Sequence, residues 1–362
     1  MTARDTVAEA VVTGVGTVAA PAGTALDEPW FDYRARLGPR GYKYLPDACQ
    51  YLLAAAKDAL TRSGAESAGP AGSGGTSGPA GSAGSAGSAG SAGSVGSAGA
   101  AGDGPAALAG FAEERRAAVV GTNSAVAALH ADITEVVRAG GINRLSPMLT
   151  PFFSVNLVAS RLSTEHRLKG FNTTVTSPRV AGLEALHVAA RELGAGRGDL
   201  VLAGVTEAYD PGHGTAAAEA GSVVLVLRPP ADAVRPGGAL LRTTLRFVPP
   251  AALAHESGRR RAGREVREAL EALAAPGRAP ELIRVVTDGS AVASAVEAAV
   301  RDWSARRVPL SVEAVGARAG ALAPMERVAH DLRDGAAGPR TVVAVAGEGN
   351  VAFASVDPYG TA

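Results

Sequence analysis

Two periodicities alternate along the chain, short apolar runs and longer stretches with apolar residues three and four apart. Residues 9–13 (EAVVT) read as a strand, and Gly14 and Gly16 behind them as an ordinary glycine turn at its end. Residues 44–60 (YLPDACQYLLAAAKDAL) carry an apolar stripe at helical spacing. Helical patterns recur at 126–137, at 157–162 and at 183–193, where Leu183, Leu186, Ala190 and Leu193 share one side. Between them, 116–120, 173–176, 200–203 (LVLA) and 223–227 (VVLVL) are short enough to be strands only. The alternation then starts afresh. Strands are expected at 240–248, 283–287, 310–315, 342–345 and 351–356, with helices at 261–274, 292–303 and 324–334. Two successive βαβ-rich stretches predict a layered α/β architecture with two similar halves.

Between residues 63 and 110 both periods disappear. The segment is nearly all Gly, Ala, Ser and Pro, with glycine at every third position from Gly78 to Gly102. Collagen needs proline-rich positions between such glycines. Here those positions hold mostly Ser and Ala, so a flexible insert is expected. The organisation is therefore 1–62 plus 111–228 as the N-terminal half, 63–110 as the insert and 229–362 as the C-terminal half.

Composition narrows the function. The 362 residues are 46% hydrophobic and 19% charged, with 35 basic against 35 acidic side chains, which removes the electrostatic case for nucleic acid. One cysteine excludes a disulfide framework. No apolar run is long enough to span a membrane, and the first residues lead into a strand without an apolar signal core, so a cytoplasmic location is expected.

Most local motifs have bland readings. Gly14-Val15-Gly16-Thr17-Val18-Ala19 matches a dinucleotide fingerprint, but Pro21 and Pro29 spoil the helix that must follow. Cys49 lies inside the first helical stripe, the place of a core residue rather than a nucleophile. The histidines at 130, 166, 187, 213, 255 and 330 show no metal-type pairing, and no cofactor is expected.

The informative stretch is residues 170–186, GFNTTVTSPRVAGLEAL, a β-run, a tight turn and a helix from about Val180. With Ser146-Pro147, Asn156 and His166 upstream it resembles the β-ketoacyl synthase family. Downstream, Ala203-Gly204-Val205-Thr206-Glu207, Glu219, Gly316, Gly320-Ala321, Glu326 and Gly347–Asn350 follow in family order. The resemblance implies a thiolase-like fold, two similar halves in a five-layered αβαβα arrangement. It also implies a nucleophilic cysteine at a helix N-terminus, where the macrodipole favours thiolate. The chemistry is missing. Counting from Gly170 to Gly182, the cysteine position holds Arg179; the first histidine position holds Asp288, and the second, in Gly316-Ala317-Arg318-Ala319-Gly320-Ala321, holds Ala317. The lysine position four residues before Gly316 is Val312, and a phenylalanine position in the C-terminal turn falls at about Ala346. Without thiolate no acyl-enzyme forms, and an arginine is no nucleophile.

Such losses resemble the non-catalytic partner subunit of type II polyketide synthases, the chain-length factor, in which Asp288–Val292 has a near counterpart. That resemblance implies a heterodimer with an active ketosynthase, an acyl carrier protein as the further partner, and cross-interface pairing of the strand at 173–176. It implies too a chain tunnel whose depth is set near Ala128 and Ala131, positions that share one helix face. The competing reading is that these alanines pack closely in a core helix. Arg179 raises its own problem, because the helix dipole opposes a cation there and burying it unpaired costs several kcal/mol. An Arg179–Asp288 ion pair is expected to answer it; the competing reading is that Arg179 reaches into the interface and binds the partner subunit. The alternatives from other function classes are a malonyl-carrier-protein decarboxylase and a non-enzymatic scaffold of the same fold.

Overall fold

The computed structural model describes residues 7–67, 106–147, 150–212, 218–230, 238–274, 279–305, 307, 311–334 and 338–358. The first half runs β1 (Ala8–Ala19), α1 (Tyr33–Leu37), α2 (Asp47–Ser67), β2 (Arg116–Gly121), α3 (Ala127–Gly140), α4 (Leu157–His166), β3 (Asn172–Val175), α5 (Ala181–Gly194), β4 (Leu200–Glu207) and β5 (Gly221–Arg228). The second runs β6 (Ala239–Phe247), α6 (Glu256–Leu273), β7 (Leu282–Thr287), α7 (Ala291–Ser304), β8 (Ser311–Gly316), α8 (Leu322–Arg333), β9 (Arg340–Val345) and β10 (Asn350–Pro358).

Hydrogen bonding links the strands in the order β3-β2-β4-β5-β1-β6-β10-β9-β7-β8. Counted from its own first strand, each half reads 3-2-4-5-1, and the two first strands meet antiparallel, Ala8–Val12 against Thr243–Ala239. Within each half the second strand lies parallel to the third and fourth. The two successive βαβ-rich halves read from the hydrophobic pattern thus share one topology.

Helices α5 and α8 lie between the two halves. α5 packs on β2 and β4 and also on β6 and β10, while α8 packs on β9 and also on β5 and β1. Their side chains, among them Leu186, Leu193, Met325 and Val328, share one core with Leu225 and Val342 from the facing strands. On the outer side of the first half, α2 and α4 bury Leu52, Leu60 and Leu162 against Val120 and Val224. On the outer side of the second half, α6 and α7 bury Val266, Leu270, Val296 and Trp303 against Val343 and Phe353. The layers are therefore αβαβα, the thiolase-like arrangement. A middle helix must be apolar all round. α5 is nearly so as far as Ala190, because Ala181, Gly182, Ala185 and Ala189 are buried beside the leucine stripe that the periodicity singled out and Glu184 is its one charged residue there, half-buried.

Two expectations need correction. Gly14 and Gly16 form no turn; β1 runs through both to Ala19. They are glycine because α2 crosses there: a Cβ would lie 2.2 Å from the Ala59 carbonyl oxygen at Gly14 and 1.8 Å from that of Ala55 at Gly16. The first long helix begins at Asp47 rather than at 44, since Pro46 disfavours helical backbone at Leu45 and Tyr44 stays exposed. The proposed insert falls largely on residues 68–105, outside the described residues. Of its flanks, α2 continues to Ser67 and the turn Ala106–Leu108 buries Leu108 in the outer core.

Candidate functional site

The site is built where β3 hands over to α5. Ala181 N–H donates to the Ser177 carbonyl at 3.1 Å and Val180 N–H to that of Pro178 at 2.7 Å, so the chain reverses within four residues. Gly121, at the end of β2, lets this turn sit against the sheet, since a Cβ there would lie 2.3 Å from the Ala181 carbonyl oxygen. Arg179 occupies the corner with φ of 60°, the left-handed region that costs an L-residue about 1–2 kcal/mol. The turn thus holds Arg179 in place at the cost of local strain.

Its guanidinium meets two acids. Arg179 Nη1 lies 3.4 Å from Asp288 Oδ2 and 3.7 Å from Glu348 Oε2. Asp288 follows β7, and its carboxylate accepts from the Ser290 amide at 3.0 Å and from the Gly347 amide at 3.0 Å. Burial raises the Asp288 pKa, but the Ser290 hydrogen bonds, the Arg179 charge and the Gly347 amide outweigh it and hold the carboxyl below its usual value. Glu348 was not singled out from the sequence. It sits in the β9–β10 turn between Gly347 and Gly349, and only the fold brings that turn to Arg179. Three turns, β3–α5, β7–α7 and β9–β10, are therefore joined through one cation.

The remaining expected positions divide. Ala346 is fully buried next to Gly347. Ala317 N–H donates to the Thr287 carbonyl at 2.7 Å, beside Asp288. Val312 is not brought to the site. It pairs with Ile283 in the β7–β8 register and packs on the outer core, four residues or about 13 Å of strand before Gly316. Cys49 is buried in α2, which pushes its thiol up to about 12. His213 lies outside the described residues, and among those described no group of three His, Cys, Asp or Glu side chains is placed to hold a metal.

Behind the corner lie two buried carboxylates. Glu207, at the end of β4, accepts from Asn123 N–H (2.8 Å), Ser124 N–H (2.7 Å), Ser124 Oγ (2.8 Å), Thr122 Oγ1 (3.2 Å) and Ala321 N–H (2.9 Å). Glu219 accepts from the Leu322 and Ala323 amides at 2.9 and 3.1 Å, satisfying the first turn of α8. Gly320 has no Cβ because one would lie 2.4 Å from Glu219 Oε2. Burial pushes the Glu219 carboxyl up to about 7, with the nearby Glu207 adding to the rise against its amide hydrogen bonds. These bonds fix the Gly-Thr-Asn-Ser turn, and with it the start of α3.

α3 buries none of its residues, so the reading of Ala128 and Ala131 as closely packed core alanines is corrected: Ala128 is half-buried and Ala131 exposed. Near them Ile142 is 73% and Phe153 58% exposed, and β3 is an edge strand of the sheet. Chemically, the corner offers charge and no thiol. An ionised Asp288 with a lowered pKa is a weak proton acceptor at neutral pH.

The β-ketoacyl synthase N-terminal domain family matches residues 13–237, more than half of the chain, and the chain belongs to that family. Among curated relatives, a 3-oxoacyl-[acyl-carrier-protein] synthase 2 from Rhizobium meliloti (strain 1021) is 34% identical over 76 residues, 21% of this chain and 18% of the relative. Solved structures are similar over nearly the whole length. The ishigamide ketosynthase/chain length factor gives a TM-score of 0.62 at 20% identity, covering 98% of this chain and 99% of that one. The ketosynthase complex AntDE:AntF, a type II system with its acyl-carrier protein, gives 0.65 at 13% identity and 97% and 99% coverage. A Streptomyces albus JA3453 oxazolomycin ketosynthase domain gives 0.58 at 16% identity, covering 98% and 96%. At these identities the solved structures show the fold.

Proposed function

We propose that this chain is a non-catalytic, ketosynthase-like subunit of the chain-length-factor kind. It pairs with an active ketosynthase and shapes the chain tunnel at their interface, in type II polyketide biosynthesis with the growing chain on an acyl carrier protein. The observation that carries the reading is the corner at Arg179. A strained turn of the kind that would present a nucleophile presents instead a cation engaged by Asp288 and Glu348. The open edge of β3 and the unburied α3, with exposed Ile142 and Phe153 nearby, supply a surface for the partner. Two solved relatives, described as a ketosynthase/chain length factor and as a ketosynthase with its acyl-carrier protein, support the choice of partners.

In this reading the Arg179–Asp288 pair fills the inactive site and stiffens its side of the interface. The test is co-expression with an active type II ketosynthase from the same source. A stable one-to-one complex that extends acyl chains, together with a chain that neither condenses nor decarboxylates malonyl-carrier protein alone, is the expected result. Malonyl decarboxylation by the isolated chain would instead make it a priming subunit. Failure to form any complex would leave a scaffold and overturn the proposal.

A further inference from the structure

Away from that corner, the second part of α8 lies against the far end of β1. Glu326, Ala329, His330 and Arg333 recur at spacings of three and four, so they share one face. That face and Thr17–Ala19 enclose an open cavity of about 380 Å³. Its floor is apolar, formed by Val223 and Ala329; its rim is charged.

By formal count the rim charges balance, Glu326 and Asp334 against Arg327 and Arg333, but they are not paired with one another at salt-bridge distance among the described residues. Asp334 accepts from Arg340 at 2.8 Å and is committed there. Burial holds the Glu326 carboxyl above its usual value, against the pull of Arg318 and Arg327. His330 stands 3.9 Å from Asp331, a carboxylate already engaged by Arg284 and Arg340. The cations are less well served. Arg333 Nη2 donates to a neutral acceptor, Thr17 Oγ1, at 2.7 Å. Arg327 Nε is buried without a hydrogen-bond partner. Neither Arg327 nor Arg333 forms a carboxylate ion pair within 4.0 Å among the described residues. Burial and the neighbouring Arg62 both disfavour the Arg333 cation, only partly offset by Asp58, which itself binds Arg36. The exposed Arg333 and the half-buried Arg327 thus flank the cavity without a carboxylate partner, the make-up of a site whose counter-ion is a ligand.

We propose that this groove binds an organic oxyanion, a carboxylate or phosphate carried on a short apolar chain. Arg333 and Arg327 take the head group, and the Val223–Ala329 floor takes the tail. The proposal does not depend on the function assigned above.

Calorimetric titration of the full chain with hexanoate, hexyl phosphate and hexanol tests it. Saturable binding of at least one anion, with none of hexanol, is expected. Binding of only one head group identifies the source as an acid or a phosphate ester. Arg333→Ala and, separately, Arg327→Ala should each weaken binding about tenfold, the effect of losing about 1.4 kcal/mol. Each variant's thermal midpoint is measured alongside, and Arg327→Ala serves as the second probe should loss of the Thr17 contact unfold the first. Failure of both anions to bind, equal binding by hexanol, or binding unchanged in the folded variants would overturn the site.

Discussion

Glu219 carries the most direct consequence at the scale of single residues. Its carboxyl is pushed from 4.5 up to about 7, burial being the main cause. Between those two values the folded chain keeps a proton that the unfolded chain has released, so stability falls as pH rises through that window. The loss is on the order of 3 kcal/mol. Glu207 shifts in the same direction and adds to the slope. Glu219→Gln, which keeps an acceptor for the α8 amides, should remove its share. Urea midpoints taken from pH 4.5 to 8 should decline less steeply in the variant. Identical slopes would mean that Glu219 does not hold this proton. Asp288 works the other way: its lowered pKa contributes stability above the ordinary carboxylate range, lost as pH falls through the depressed folded value. Asp288→Asn should therefore blunt acid destabilisation while lowering stability at neutral pH, read by the same titration.

Elements show what a hydrophobic pattern can and cannot convey. Strand β7, helix α7 and strand β10 lie close to where alternation places them, because buried strands and one-sided helices leave clear periods. The middle helix α5 looked one-sided because alanine and glycine carry weak apolar signals, although its alanines and Gly182 are buried as fully as its leucines. Gly14 and Gly16 looked like punctuation because the crossing of α2 over β1 is a tertiary fact. The corner was half legible. Arg179 and Asp288 follow from motif order and charge, whereas Glu348 arrives through a turn that only the fold brings near. Gly16→Ala tests the crossing: it should cost about 1–3 kcal/mol by overpacking, seen as a lower urea midpoint. For α3 the expectation is opposite. Since Ala128 is half-buried and Ala131 exposed, Ala128→Phe and Ala131→Phe should leave the isolated chain within about 0.5 kcal/mol of wild type. With the cognate ketosynthase they should shorten the product, read by mass spectrometry. An unchanged chain-length profile from both would remove α3 from the tunnel.

For the whole molecule the relevant division is between the layered body and the segment inserted into it. α2 ends at Ser67 and the chain re-enters through a turn that buries Leu108, so both flanks belong to the outer layer of the first half. On the expectation from composition that residues 68–105 are a flexible insert, replacing them by a Gly/Ser linker of about a quarter the length shortens it by two halvings. That should stabilise the body by about 1 kcal/mol and leave pairing with a ketosynthase intact. A lower thermal midpoint, or loss of the complex, would show that the segment takes part in the fold or the interface.

The corner itself has an electrostatic sum. Arg179 supplies one positive charge to two carboxylates, Asp288 and the half-exposed Glu348. Taken alone, these three side chains therefore carry one surplus negative charge. An acidic extender group approaching this subunit would be turned away within about a Debye length, while a neutral acyl chain would not. In the paired assembly proposed above, such a charge would act as a filter, leaving acidic building blocks to the ketosynthase.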